Sequence, residues 1–323
     1  MSLDVVGFAA INEDRIRYVN KAVKEHETFS PEPLGKLPYD EHFLGGSVVN
    51  TIVGLTRLGL KTALIGKLGN DESAKFLQAQ LKKYKVKFFT PKVKGSSSIA
   101  YILVGKNKQR SIRINPGVND TITLSDVTPH IDLIKRAKLV HMASFACAFG
   151  RYYSLKTEAR LAKEAKKVSF SPGTLYCKYV RKTKPDLINK LLQSTDILIL
   201  NKEEIKALTG RDYIKATGKL IREYGIEAIA VTLGEKGCIV ANRDECHHVP
   251  AYRVRVIDTT GAGDAFTTGF LYGYLKKKSL KECGQLGNKV AAFCIQEKGA
   301  IDGLPTSLKL MSKNCLHKMQ PQL

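Results

Sequence analysis

The sequence predicts an α/β fold: a doubly wound, mainly parallel sheet with helices on both faces, and a small β-structured lid beside it. Three observations carry that expectation. Short apolar runs alternate with segments of helical period over most of the chain. Two stretches break the alternation, and one glycine-rich turn joins a strand-like run to an apolar helix. At 323 residues and 43% hydrophobic, the chain is long enough to bury a large core and reads as one domain over 1–323.

The elements follow in order. "DVVGFAA" is a first strand; no basic segment precedes it and Asp4 interrupts it, which argues against a signal peptide. Residues 15–44 are polar and punctuated by proline. Helical spacing appears at 47–58, "TALIGKL" reads as a strand, and 71–83 as a helix. Residues 96–115 read as two strands, "SSSIAYILV" and "RSIRIN", joined by the turn-forming "GKNKQ". Strands without helices do not easily join a doubly wound sheet, so 15–44 and 96–115 are expected together as the lid. The strands "KLVHMAS", "KVSF", "DILIL" and "AIAVTLG" then alternate with helices that include 151–166 and 213–224. "AIAVT" and "CIVAN" form a hairpin around the turn in "VTLGEKG". "YRVRVI" alternates Val254 and Val256 with Arg253 and Arg255, the period of a strand with one buried face. "AFTTGFLYGYL" returns to helical spacing through Ala265, Gly269, Tyr272 and Leu275, and a last helix is expected at 279–297.

Composition narrows the function classes. The 52 Lys and Arg against 30 Asp and Glu give a formal net charge of +22, which raises a nucleic-acid hypothesis. The lysines are spread in short groups such as Lys82, Lys83, Lys85 and Lys87 instead of one basic arm, and no zinc-finger or aromatic RNA-binding signature accompanies them. A nucleic-acid partner is therefore not expected, although a positive field helps to draw in anionic substrates such as nucleotides. No apolar stretch approaches the roughly 20 residues of a membrane helix. Seven cysteines, an odd number without a C-x-x-C pair, argue against a disulfide framework or structural zinc, so a cytoplasmic location is expected. "CHH" at 246–248 alternates across a strand and cannot easily face one ion, so it reads as surface.

The chemistry concentrates in "DTTGAGDAF", 258–266. Backbone N–H groups at a helix start, reachable because glycine permits close approach, bind a phosphate or a developing negative charge. If Gly261, Ala262 and Gly263 donate such groups, a carboxylate at Asp264 lies beside the anion, where it can take a proton from an attacking hydroxyl. A base for the nucleophile and fixed dipoles for the group in flight are what phosphoryl transfer requires. A helix start with a tight turn and a first-turn acid would carry the same residues for structural reasons alone.

This stretch, followed by "TTGF", resembles the C-terminal signature of the ribokinase-like, or PfkB, carbohydrate and nucleoside kinases. "GGSVVNTIVGLTRLG", 45–59, resembles the family's Gly-Gly-x-x-x-Asn-x-Ala-x-x-x-x-x-Leu-Gly segment. The resemblance runs from the first strand to "EKGAIDGLP" and covers almost the whole chain. It implies a ribokinase-like fold, ATP as co-substrate with Mg²⁺, Asp264 as catalytic base, and Gly261, Ala262 and Gly263 as the anion hole. Asp258 is similar to a residue that in some relatives helps to hold a monovalent cation; on its own it reads as a strand-end residue bonding the turn.

Other segments carry two readings each. Asn201 and Glu204, after "DILIL", make a capping box; the resemblance implies an Asn-x-x-Glu motif that organises Mg²⁺ on the nucleotide phosphates through water, and one Glu suffices for an ion that keeps its waters. Thr232 and Gly234 stand where the family's nucleotide lies along a hairpin turn. Asn288 matches a helix bordering the adenine site, with Ala291 and Ala292 small enough to admit a ring. Asn12 and Asp14 follow the first strand, where open α/β sheets put ligand sites, while Gly45, Gly46 and Asn50 begin the next helix. An Asp and an Asn can bond adjacent hydroxyls of a sugar ring, and relatives that bind sugars or nucleosides often show this Asn-x-Asp. Ser47, Val48 and Val49 stand where many relatives have alanines, a difference assigned to packing. Ser171 stands where relatives often have Asp and takes no role.

The sequence thus reads as an ATP-dependent kinase of a sugar or nucleoside, the lid closing over the acceptor to exclude water. Exposed lid strands invite a partner strand, so a homodimer through the lid is an expectation. Alternatives within the same fold are a sugar-phosphate kinase and a non-catalytic nucleotide- or sugar-binding regulator. A P-loop kinase lacks its G-x-x-x-x-G-K-[ST], and a nicotinamide dehydrogenase lacks its G-x-G-x-x-G after the first strand.

Overall fold

A computed structural model describes residues 3–23, 39–91, 93–107, 110–143, 153–311 and 320–321. In chain order the strands are β1 (Val5–Ala9), β2 (Asn12–Val19), β3 (Glu41–Gly45), β4 (Thr62–Gly66), β5 (Lys87–Phe89), β6 (Ser98–Gly105), β7 (Arg110–Asn115), β8 (Leu139–Ala143), β9 (Val168–Ser171), β10 (Ile197–Asn201), β11 (Ala228–Thr232), β12 (Cys238–Ala241) and β13 (Cys246–Val249). Nine of them form one sheet in the order β13-β12-β11-β10-β9-β8-β1-β4-β5. Every pairing from β11 to β5 is parallel, and only the β12 and β13 edge runs antiparallel.

The near-continuous apolar runs follow from burial on both sides. Val5 and Ala9 of β1 join one core and Val6 and Phe8 the other, so alternate residues of one strand serve two layers. The helices Ser47–Arg57, Glu72–Lys83, Ala262–Leu275 and Leu280–Cys294 cover the first face through Ile52, Leu77, Phe270 and Val290. Tyr153–Glu164, Thr174–Thr183, Lys202–Thr209 and Tyr213–Tyr224 cover the second through Leu161, Tyr176, Ile205 and Leu220. Among the described residues no helix is long and apolar enough to cross a membrane.

The segments that broke the sequence rhythm form a separate small sheet, ordered β3-β2-β6-β7. Its β2–β6 pair is parallel and the other two are antiparallel. Residues 24–38 of the first segment lie outside the described residues. Asn12 and Asp14, expected after the first strand, stand there on a strand of their own, β2, and pair with Gly45 and Phe43 of β3.

One expected element needs correction. Of "YRVRVI", only Tyr252–Arg253 is strand, paired to Gln320–Pro321. Val256 and Ile257 are 56% and 53% exposed, and the amides of Ile257 and Asp258 bond to the carbonyl of Ile295 instead of a neighbouring strand. The alternation is real in the sequence, but among the described residues no strand pairs with 254–257 to read it.

Candidate active site

The site is assembled by two helices crossing at small residues. On Ser47–Arg57, the residues Ser47, Asn50, Thr51 and Gly54 recur at the i, i+3, i+4, i+7 spacing of one helix face. That face meets the start of Ala262–Leu275. Ser47 Oγ donates to Asp264 Oδ1 at 2.5 Å, and Asn50 Nδ2 donates to Asp264 Oδ2 at 2.8 Å. Thr51 and Thr268 hydroxyls both donate to the Asp264 carbonyl. Asp264 is thus fixed through both carboxylate oxygens and its backbone.

The glycines of the two helix starts have separate causes. Gly261 takes φ +73, and a Cβ there would lie 2.3 Å from Ala300 Cβ, so no other residue fits the turn. The first i→i−4 bond of the helix runs from Ala265 N to Gly261 O, and Ala262 N bonds Thr259 O. The amides of Gly263 and Asp264 precede any such bond, as helix geometry dictates. Nothing lies within 4 Å of a Cβ built on Gly263, and that residue is exposed, so a ligand can approach the backbone closely there. Asp258 clamps the turn from behind: its Oδ1 accepts from Thr260 N and Oγ1, and its Oδ2 from Gly299 N.

Asp14 and Glu204 both feel the charge of Asp264, and among the described residues no cation is paired to any of the three. Burial pushes the Asp264 carboxyl up to about 6, against the hydrogen bonds from Asn50 and Ser47 that favour its charged form. Asp14 is pushed up to about 7, first by burial and then by the charges of Asp264 and Glu13. Its carboxylate lies over Gly45, where a Cβ would sit 2.2 Å from Oδ1, so that glycine makes room for it. Glu204 is also raised, by burial first, with the Asp264 charge adding to it. Asn50 Oδ1 is buried and has no partner among the described residues, an acceptor waiting for a donor.

The second group of candidates lies at the ends of β10 and β11, where Asn201 and Thr232 are neighbours in register. Asn201 Oδ1 accepts from the amides of Glu203 and Glu204, and Glu204 Oε2 accepts from Asn201 N, a complete capping box. Glu204 Oε1 accepts from Thr174 Oγ1 at 3.3 Å. Gly234 opens a one-turn 3-10 helix at φ +63. Asn288 is buried and donates to the carbonyls of Val249 and Pro250, so it holds the exit of β13, and Ala292 is packed in the core. Among the described residues no three His, Cys, Asp or Glu could cage a metal. Glu204 still suits Mg²⁺, which takes one or two carboxylates and keeps its waters.

Comparison with known proteins decides the family. The chain matches the pfkB family carbohydrate kinases over residues 3–307. It is 42% identical over 257 residues to an uncharacterized sugar kinase of Archaeoglobus fulgidus, covering 79% of this chain and all of the relative. The chain belongs to the PfkB family. A ribokinase of Haemophilus influenzae is 28% identical over 321 residues, 94% of this chain and 95% of that one. Adenosine kinase from Sinorhizobium meliloti shares the fold at a TM-score of 0.81 and 23% identity, covering 98% of this chain and all of the other.

Within this PfkB kinase the structure brings Asp264, Asn50, Gly45 and Asp14 together. Asn12 stands at the start of β2, its Oδ1 receiving Asn119 Nδ2 at 3.4 Å. Asn119, buried with Nδ2 also on Ile11 O, was not read from the sequence. Ser47 was assigned to packing and instead holds the carboxylate of Asp264. The signal for it was present, since Ser47, Asn50, Thr51 and Gly54 interrupt an otherwise apolar helix on one face.

Proposed function

We propose that this PfkB kinase transfers the γ-phosphoryl group of ATP to a hydroxyl of a sugar or nucleoside, with Asp264 as general base. The observation that carries the reading is a carboxylate held through both oxygens at the first turn of a helix whose start is open to close approach at Gly263. The acceptor O–H gives its proton to Asp264, the oxygen attacks the γ-phosphorus, and the bond to the ADP oxygen breaks. The amides of Gly261, Gly263 and Asp264 would steady the charge of the group in flight, whereas that of Ala262, expected to join them, is already bonded to Thr259 O. Mg²⁺, organised through water by Asn201 and Glu204, would neutralise phosphate charge when bound. Thr232, Gly234 and Asn288 border the region proposed for the nucleotide.

On the acceptor side, Asn12, Asp14, Gly45, Gly46 and Asn50 suit adjacent ring hydroxyls. Asp14 offers acceptors, and Asn50 Oδ1, without a partner among the described residues, can accept a hydrogen bond from a hydroxyl. The small sheet of β2, β3, β6 and β7 would close over the acceptor as a lid, and its exposed Tyr18 and Ile112 suit pairing with a second copy. An uncharged acceptor is favoured over a sugar phosphate because Asp14, Asp264 and Glu204 crowd the site with carboxyl groups. The test is ADP release from Mg-ATP with ribose, fructose, adenosine, inosine and two sugar phosphates, with a no-acceptor control. Turnover with a neutral acceptor supports the reading, and turnover only with sugar phosphates overturns the acceptor assignment.

A further inference from the structure

We propose that Ser47 is a positioning residue whose hydroxyl sets the proton affinity of Asp264, an inference that rests on Asp264 being the base. Gly46, the N-cap of its helix, takes φ 113, and a Cβ there would lie 2.4 Å from Ala10 O. That close approach fixes the first residue of the helix, Ser47, against Asp264 at 2.5 Å. Asn50, three residues on, holds the other oxygen at 2.8 Å. The carboxylate is gripped from one helix face by one hydroxyl and one amide.

The surroundings give those two donors unusual leverage. From β2, Asp14 faces Asp264; from the Lys202–Thr209 helix, Glu204 does; and Asp258 lies in its own turn. From the Leu280–Cys294 helix comes Cys294, a thiol pushed up to about 12 by burial and by Asp264 and Asp258, and so neutral. Among the described residues no lysine, arginine or histidine contributes to the proton affinity of Asp264, and only the bonds from Asn50 and Ser47 oppose its burial. A hydroxyl bonded to an ionised carboxylate is held roughly twice as strongly as one bonded to a neutral group, so Ser47 favours the base form that must be present before the acceptor proton can be taken. With Asn50 alone, Asp264 would keep its proton to a higher pH.

The test does not need the acceptor. Aspartate carboxyls are labelled with carbon-13 and titrated by NMR in the full chain, Asp264→Asn assigning the resonance by its loss. In Ser47→Ala the midpoint of Asp264 rises by roughly one pH unit, the size expected for one charge-assisted bond. Ser47→Thr, which keeps the hydroxyl, restores it, and Ser47→Cys, of similar volume with a weaker donor, falls between. The acidic limb of the rate profile moves by the same amount, with about tenfold less turnover at low pH and most of it regained above pH 8. An unmoved midpoint in both Ser47→Ala and Ser47→Cys, or a uniform loss of rate at every pH, makes Ser47 a packing residue and overturns the proposal. Full turnover by Asp264→Asn would instead remove the base itself, a failure of the functional reading that is distinguishable because the NMR midpoints would stand.

Discussion

Gly54 and Thr268 meet where the two site helices cross, so closely that a Cβ on Gly54 would lie 2.7 Å from both Oγ1 and Cγ2 of Thr268. Gly54 shares a helix face with Ser47, Asn50 and Thr51, so the separation at this crossing sets how far those groups reach toward Asp264. An alanine at 54 gains helix propensity but must push the helices apart. Gly54→Ala is therefore expected to lower stability by roughly 1–3 kcal/mol in urea unfolding and to reduce turnover as well. Adding Thr268→Ala removes the crowding atoms, and the double-mutant cycle should show a favourable coupling of about 1 kcal/mol or more. Simple additivity would mean the crossing is not tight.

Asp264→Asn keeps the shape of the side chain and removes the acceptor for the proton. Loss of a general base costs about 10²–10⁴ in rate, so kcat should fall by that range while ATP still binds in calorimetry with similar affinity. With Asp264 as the proposed base, its ionised form is the active one in the unmutated enzyme. Because burial lifts Asp264 to about 6, the rate should rise as pH increases through about 6 and then level off. Equal loss of turnover and ATP binding in the variant would mark Asp264 as a structural residue.

The doubly wound sheet was legible because a buried parallel strand has to be apolar on both faces, as "DVVGFAA" and "DILIL" are. The turn around Asp264 was legible because Gly261 has no substitute at φ +73 against Ala300. "YRVRVI" was misread because period two records only alternation, not the presence of a neighbour, and here the backbone is tied to Ile295 instead. Ser47 was missed for a different reason. Its meaning depends on a contact with a residue 217 positions away, and no local pattern encodes that pairing.

Glu204 has a structural duty and a proposed functional one, and one substitution separates them. Glutamine at 204 retains an oxygen that can accept from Asn201 N, so the capping box of the Lys202–Thr209 helix survives. It loses the negative charge that an Mg²⁺ hydration shell would address. Glu204→Gln is expected to melt within a degree or two of the parent, while the Mg²⁺ concentration giving half-maximal rate rises several-fold. A large drop in melting temperature with unchanged Mg²⁺ dependence would leave only the cap.

Asp14 carries a cost that can be read from stability against pH. Its carboxyl is pushed from an ordinary value of 3.8 to about 7 in the folded chain, by burial first and then by Asp264 and Glu13. Between those two values the folded state retains a proton that the unfolded chain has released, so this group makes stability fall as pH rises from about 4 through about 7, and adds nothing further above that. Asp14→Asn removes the titration. The variant should be about 1–2 kcal/mol more stable than the parent at pH 8 in urea unfolding, less than the full shift implies because Asp14 is only half-buried as a residue, and should have lost most of that advantage by pH 4. If Asp14 also bonds the acceptor, the gain comes with a higher KM for it, the usual exchange where a strained group serves function. A stability difference that is the same at both pH values would show that Asp14 is ionised throughout, and the crowding of carboxyl groups at this site would then be far weaker than its geometry indicates.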